Sequence, residues 1–196
     1  MLSENWNIVG AILIFFGAGQ YLLQTLKGEA QPNRVSWLIW TIAPLIAFFS
    51  EIKQGVGLQS LLTFMVGFMP LLILLASFVN KKAYWKISRF DLFCGGLAVV
   101  GLILWQVTKV GNIAILFSVL ADLIAGVPTI AKSFTYPESE EWPVYAAVIV
   151  AAILTLLTIR QWNFETYAFP IEQLALCLLL TTLIIKPNLL QAKKGN

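Results

Sequence analysis

The chain has 196 residues, of which 59% are hydrophobic and 12% are charged, and its mean hydropathy is +0.81. Soluble domains contain roughly 45–50% apolar residues, so this composition predicts an integral membrane protein. Histidine is absent, which excludes a Ser-His dyad, a His-ligated zinc and a His-ligated haem. The net charge of +3 lies on predicted loops and the tail, so it does not indicate nucleic-acid binding.

The apolar stretches predict seven transmembrane helices, because a spanning helix needs about 20 mostly apolar residues. In chain order they cover residues 7–26, 35–50, 57–79, 92–107, 112–131, 142–159 and 167–185. Residues 1–5 contain no Lys or Arg, so the first stretch is expected to remain as a helix and not to be cleaved as a signal peptide. Cys94 and Cys177 lie inside apolar stretches without a metal-binding spacing, and no cofactor or metal is expected.

The distribution of basic residues predicts the orientation. With the amino terminus outside, ten Lys and Arg residues fall on the inner loops and tail, and three (Lys53, Lys109 and Arg160) fall outside. The positive-inside rule therefore predicts an external amino terminus and a cytoplasmic carboxyl terminus. Tryptophans at the helix ends are expected to anchor the protein at the interfaces, with Trp6, Trp105 and Trp162 outside and Trp37, Trp85 and Trp142 inside.

The first three and the last three predicted helices are related by a constant offset of 105 residues, at which Asn7 aligns with Asn112 and Lys27 with Lys132. Over residues 7–81, 11 of 75 positions are identical. This offset predicts a first three-helix repeat in residues 1–83, a linker with an inverting fourth helix in 84–110, and a second repeat with a short basic tail in 111–196. The odd fourth helix would make the two bundles parallel, with a solute path between them.

A loop motif precedes the second helix of each repeat. Pro32 aligns with Pro137, and Trp37 aligns with Trp142. Proline suits the first turn of a helix, and tryptophan suits the membrane interface. The motif therefore predicts a helix start and an anchor, with ligand stacking as the alternative for the indoles.

Two carboxyl groups lie within predicted helices. Asp122 is near the middle of the fifth helix, where a charge is costly, so it is expected to face the bundle interior as a substrate or proton site or to make a structural hydrogen bond. Glu172 in the seventh helix either lines the same site or reaches the interface. Gln20, Gln173 and Thr63 are candidate further contacts. The first repeat has glycines at the positions that match Asp122 and Glu172, so an asymmetric cavity is expected.

Proline and glycine mark candidate hinges. Pro128 removes a helical hydrogen bond in the fifth helix and is expected to kink it. Gly17 and Gly19 in the first helix are consistent with either a hinge or a tight helix contact.

The segment from Pro128 to Ser133, together with the arrangement of three, one and three helices, resembles the SWEET and PQ-loop superfamily. The loop motif with proline and, five residues later, tryptophan is similar to an uncharacterised bacterial branch of this superfamily. The resemblance implies two parallel three-helix bundles that alternate in access in a bacterial inner membrane, with Pro128 as a hinge. Leu23 stands where Pro128 has its counterpart, and the third and seventh helices lack a mid-membrane Asn, so the resemblance does not imply sugar as the substrate.

The sequence thus predicts a small-solute transporter, either a uniporter or a proton-coupled carrier. The alternative is a non-transporting receptor or assembly factor on the same fold, and an intramembrane enzyme is not expected because no catalytic cluster is present. The expected partners are the lipid bilayer and a small solute, with a homo-oligomer left open.

Overall fold

The computed structural model describes residues 2–83, 85–108 and 110–194, with side chains described outside 101–102, 104–108 and 186–194. The predicted positions of Trp105, Lys109 and the tail lysines lie outside these described side chains. The described part contains seven α-helices, one 3₁₀ turn at Pro137–Ser139 and no strand. The helices are α1 Trp6–Lys27, α2 Arg34–Lys53, α3 Ser60–Val79, α4 Arg89–Thr108, α5 Gly111–Thr135, α6 Trp142–Thr158 and α7 Phe164–Lys194.

The predicted all-α transmembrane fold with seven helices is confirmed. Five described helices, α1, α2, α3, α5 and α7, are long and apolar enough to cross a membrane, and α6 is a shorter apolar helix of 17 residues. The main differences are extensions: α2 continues beyond residue 50 to Lys53, α5 beyond residue 131 to Thr135, and α7 beyond residue 185 to Lys194. The extensions of α2 and α5 matter because they carry the buried side chains of Glu51 and Lys132 into the bundle.

Local sequence signals fix several helix ends. Gly28 ends α1 in the left-handed conformation with φ of 80°, which glycine adopts without a Cβ penalty. Asn33 caps α2, since its side chain accepts from the backbone N–H of Val35 at 3.1 Å. Ser88 and Asp91 form a reciprocal capping pair before α4, in which Ser88 N donates to Asp91 Oδ2 at 2.6 Å and Asp91 N donates to Ser88 Oγ at 3.2 Å.

The helices pack in the same pattern at the two ends of the chain. Helix α3 packs on both α1 and α2, and α7 packs on both α5 and α6. Between these two groups, α1 packs on α6 and α2 packs on α5, while α4 packs on α5 and, to a smaller extent, on α2. At the offset of 105 residues, α1 corresponds to α5 and α2 to α6, so the contacts α1–α6 and α2–α5 are equivalent. These two contacts form the main interface between the groups.

Polar contacts define the two ends of the bundle. At one end, Asn7 Nδ2 donates to Thr158 Oγ1 at 3.0 Å and Ser50 Oγ donates to the Gly111 carbonyl at 3.2 Å. We call this the Asn7 end. At the opposite end, which we call the Lys132 end, the loop after α1 meets the loop before α6 through Gln31 N and the Ser139 carbonyl, at 3.5 Å.

Candidate functional site

A cavity of about 50 Å³ lies at the centre of the bundle and is lined by six helices, α1, α2, α3, α5, α6 and α7. About 10–15 Å³ measured in this way is enough for one water molecule, so the cavity has room for a few waters or for one small chemical group. Its walls are mostly aliphatic, aromatic or thioether side chains, and its polar lining comes from Asp122, Gln173, Tyr145, Trp37 and Trp40. The lining contains no Lys or Arg among the described residues.

The main polar feature of this cavity is a chain of three side chains that joins α5 to α7. Gln173 Nε2 donates to Asp122 Oδ2 at 3.0 Å and to Glu172 Oε2 at 2.9 Å. All three side chains are buried, and Asp122 is only 1% exposed. The Trp40 indole donates to the Asp122 backbone carbonyl at 3.2 Å, which ties the same turn of α5 to α2. One amide thus bridges two carboxyl groups inside the bundle.

Several buried polar atoms at this site have no hydrogen-bond partner in the described part. They include Asp122 Oδ1, Glu172 Oε1 and the Trp37 indole nitrogen. Because a buried polar group without a partner costs about 1–3 kcal/mol, these atoms offer bonding capacity to a guest in the cavity. Asp122 and Trp37 line the cavity itself, so together they present an acceptor and a donor to it.

A second network closes the Lys132 end. Lys132 and Glu140 form an ion pair at 2.8 Å, with side chains 1% and 0% exposed. The Glu140 carboxylate also accepts from the hydroxyls of Tyr21 at 3.0 Å and Tyr145 at 2.8 Å. Lys132 donates to the backbone carbonyls of Gln31 and Ser139 as well. The network therefore joins α1 and its following loop to α5, α6 and the loop between them.

Tyr145 connects the two features, because its ring lines the cavity while its hydroxyl binds Glu140. Next to this network lies Glu141, outside the membrane-spanning segments. Burial raises the pKa of Glu141 above its ordinary value of 4.5; a hydrogen bond from Gln24 opposes this, and the negative charges of Glu140 and Glu29 add to it. The Lys132 end is thus rich in carboxyl groups, only one of which is paired with Lys132.

A further buried carboxyl group lies on α2. Glu51 is 2% exposed, and Thr63 Oγ1 on α3 donates to its Oε1 at 3.0 Å. Glu51 Oε2 has no hydrogen-bond partner in the described part. Neither residue lines the central cavity, so Thr63, which was a candidate site residue, serves Glu51 and not the Asp122 site.

The structure brings some of the predicted site residues together. Asp122 and Gln173 line the cavity, and Glu172 lies beside it through the shared amide. Gln20 was expected at the same site, but this is wrong: its side chain lies on the exposed face of α1. The periodicity of a very apolar helix did not reveal which face of α1 is inside, because apolar residues occur on both faces.

The candidate hinge residues have different surroundings. Pro128 is buried inside α5. A Cβ at Gly17 would lie 2.6 Å from Ala147 Cβ on α6, whereas one at Gly19 would meet nothing within 4 Å. Gly17 therefore allows close packing of α1 on α6. Sequence reasoning missed two further prolines inside helices, Pro44 in α2 and Pro70 in α3.

The repeated loop motif has unequal roles in its two copies. Trp37 is buried and packs against Tyr21 with ring centroids 4.7 Å apart and ring planes tilted by 42°, so the prediction of an interfacial anchor is wrong for it. Trp142 is 45% exposed, as an anchor would be. Pro32 lies before the Asn33 cap and not in the first turn of α2, and Pro137 begins the 3₁₀ turn. The first copy therefore supplies a core residue and the second a surface residue.

Sequence reasoning also missed Tyr21, Glu51, Tyr145 and the pairing of Lys132 with Glu140. A weak signal existed for the pair, because Lys132 is a charged residue at the end of an apolar helix and Glu140 follows in the next loop. No such signal existed for Tyr145. None existed for Tyr21 either, because its partner Glu140 lies 119 residues away in the sequence.

The fold and these sites define an all-α, seven-helix membrane protein with a mostly apolar central cavity that is lined by a buried carboxyl group and the amide bound to it. No protein family, curated protein or solved structure matches the chain. In the described residues, no group of three or more His, Cys, Asp or Glu is arranged to hold a metal ion.

Proposed function

We propose that this protein is a small-solute carrier in which Asp122, bridged by Gln173 to Glu172, binds the solute or a coupled proton. The observation that carries the proposal is the position of these groups at a cavity lined by helices from both ends of the chain. A carboxyl group at membrane depth is costly unless it is protonated or paired. Asp122 Oδ1 accepts from no N–H or O–H donor in the described part, and the Asp122 carboxyl lies within hydrogen-bond reach of Glu172, so the two groups can share a proton.

The chemistry of the cavity favours a small solute that carries a cationic or protonatable nitrogen. Two ionised carboxylates that share one amide would repel each other in an apolar surrounding, so a proton or a positively charged solute stabilises them. The lining offers no competing cation among the described residues, and it includes the indoles of Trp37 and Trp40. Aromatic faces attract cations, most strongly when water is excluded.

The packing supports movement of two units relative to each other. The proposed units are the groups α1 to α3 and α5 to α7, which meet through α1 on α6 and α2 on α5. Alternating access would rock them about the cavity, as in transporters that are built from parallel repeats. Opening the Lys132 end would then require the Tyr21–Glu140 and Gln31–Lys132 bonds to break. We further propose that this end is cytoplasmic, from the excess of basic residues there.

Uptake into proteoliposomes tests the proposal. Labelled small amines, amino acids and sugars are offered with and without a proton gradient, and we expect uptake of at least one amine to exceed that of empty vesicles. Asp122→Asn keeps the shape of the side chain and should abolish uptake or its dependence on pH. The matched control is Glu165→Gln, which removes a carboxylate in the first turn of α7, outside the cavity lining.

Two results would count against the proposal. Full uptake and unchanged pH dependence in Asp122→Asn would remove Asp122 from solute and proton binding. The absence of flux for every solute would count against transport. If a solute nevertheless raised the thermal stability of the protein in a concentration-dependent way, the receptor alternative would be favoured.

A further inference from the structure

A groove of about 590 Å³ lies on the outside of the bundle, where α4 leaves a gap next to α3. Its walls are apolar side chains from three helices: Leu38 and Ile39 of α2, Leu74 and Phe78 of α3, and Leu92 and Val99 of α4. This groove is separate from the central cavity. No residue lines both, although α2 and α3 contribute side chains to each. The proposed carrier mechanism does not use it.

The gap arises from how α4 is seated. Helix α4 packs on α5 and α2, whereas its contact with α3 is slight at most among the described residues. A Cβ at Gly95 would overlap with Val35 Cγ1, so glycine there allows α4 to approach α2 closely. At the adjacent Gly96, a Cβ would meet nothing within 4 Å, and this glycine lines the open groove.

One basic side chain lines the mouth of the groove at the Lys132 end. This is Arg34, whose guanidinium donates to Ser77 Oγ at 3.0 Å and to the Ser77 carbonyl, and lies over the Phe78 ring, 4.2 Å from its centroid. The segment between α3 and α4, whose Ile87 also lines the groove, carries four basic residues within positions 81–89 and no acidic one. The nearest carboxylate in sequence, Asp91, accepts from Ser88 N in the cap of α4.

The groove extends from this charged mouth toward the bilayer interior. On α4 its lining runs from Leu92 to Val99, and the seven helical rises between these residues correspond to about 10 Å at 1.5 Å each. A phospholipid has the complementary sequence of groups, with a negatively charged phosphate at the membrane interface and apolar acyl chains below it. An empty apolar groove would lose dispersion contacts on every wall, and basic clusters next to membrane helices attract anionic headgroups.

We propose that this groove binds one anionic phospholipid, with its phosphate at Arg34 and the basic segment 81–89 and an acyl chain between α3 and α4. Arg34 suits this role because a guanidinium keeps its positive charge and carries five N–H donors, two of which hold it on Ser77. The bound lipid fills the space that α4 leaves against α3 and so fixes the position of this helix. The site does not depend on transport.

Lipid binding to the purified full chain in a neutral detergent tests the proposal. Native mass spectrometry measures retention of phosphatidylglycerol, of phosphatidylcholine and of soluble glycerol phosphate, which has the headgroup chemistry without the chains. We expect saturable binding of phosphatidylglycerol, weaker binding of phosphatidylcholine and none of glycerol phosphate. Binding of glycerol phosphate with equal affinity, or equal binding of the two lipids, would overturn the proposal.

Two pairs of variants locate the site. Gly96→Leu fills the groove and should abolish saturable binding, whereas Gly19→Leu, at a glycine of α1 that also faces open space, should not. Arg34→Gln should weaken phosphatidylglycerol binding by about fivefold, the factor that corresponds to one basic residue near an anionic lipid. Lys53→Gln, an exposed charge at the other end of α2, should leave it unchanged. Equal effects within either pair would overturn the location, and the arginine pair decides if Gly96→Leu fails to fold.

Discussion

Breaking the buried ion pair at the Lys132 end should destabilise the protein strongly. In Lys132→Met, Glu140 would keep its two tyrosine donors but lose the only cation that touches it in the described part. Both side chains are at most 1% exposed, so solvent screens the pair very little. Removing one partner of such a pair typically costs about 3–5 kcal/mol, because the other charge is left buried.

The reciprocal and double variants separate the pair from its surroundings. Glu140→Gln keeps the size of the side chain but removes the negative charge, so that the Lys132 ammonium has only neutral partners in the described part: the amide oxygen, the Gln31 and Ser139 carbonyls and the face of Trp85. We expect a similar loss. Lys132→Met with Glu140→Gln removes both charges, and such replacements are often neutral. The double variant should therefore be more stable than either single variant.

Reversible unfolding in mixed micelles, followed by tryptophan fluorescence, measures these free energies. Lys53→Met is the matched control, because Lys53 is exposed near the end of α2, and we expect a change within about 0.5 kcal/mol for it. The reasoning would be refuted if each single variant cost less than about 1 kcal/mol, or if the cost of the double variant equalled the sum of the two, as for independent sites.

Three further outcomes are expected. Gly17→Ala should cost about 1–3 kcal/mol through overpacking against α6, whereas Gly19→Ala, where nothing is near the added Cβ, should be neutral or stabilising by up to about 1 kcal/mol; unfolding in the same micelles compares them, and equal effects would contradict the packing argument. Because the pKa of Glu141 is raised in the folded protein, its contribution is present below pH 4.5 and is lost as the pH rises through the folded value; Glu141→Gln should flatten the stability profile in this window, and an unchanged profile would contradict the shift. Thr63→Val removes the hydrogen bond to Glu51 and should cost about 1–2 kcal/mol, with Thr63→Ser as the control that retains it.

The helices could be predicted from the sequence because the membrane imposes a length and an apolar composition on them. The start of α6 at Trp142 and the end of α3 at Val79 agree with the predicted stretches. The end of α2 was missed by three residues, since Glu51 and Lys53 look like loop residues in the sequence. The helix continues through these residues, and the Glu51 side chain accepts a hydrogen bond from Thr63 of α3 inside the bundle.

The site was partly predictable for a similar reason. Asp122 could be recognised in the sequence because a carboxyl group at membrane depth is costly and therefore rare without a function or a partner. Glu172 and Gln173 are the corresponding polar residues within the apolar stretch of α7. Which helix face points inward was not predictable in α1, where Gln20 faces out and Tyr21 is fully buried. In a membrane both faces are apolar, so the periodicity that marks the inner face of a soluble helix is weak.

The offset of 105 residues and the packing pattern lead to one further argument. Helix α1 packs on α6 as α2 packs on α5, so the contact surfaces of the two groups correspond, and Gly17 lies in one of them against α6. Its counterpart at the offset is Asp122, whose backbone carbonyl accepts from Trp40 of α2. The two interfaces are thus equivalent in position but not in chemistry, since one is a tight glycine contact and the other carries the buried carboxyl group. In the proposed carrier, a solute bound at Asp122 would therefore act on the α2–α5 interface directly, while the tight α1–α6 contact at Gly17 would act as the pivot once the Tyr21–Glu140 bond breaks.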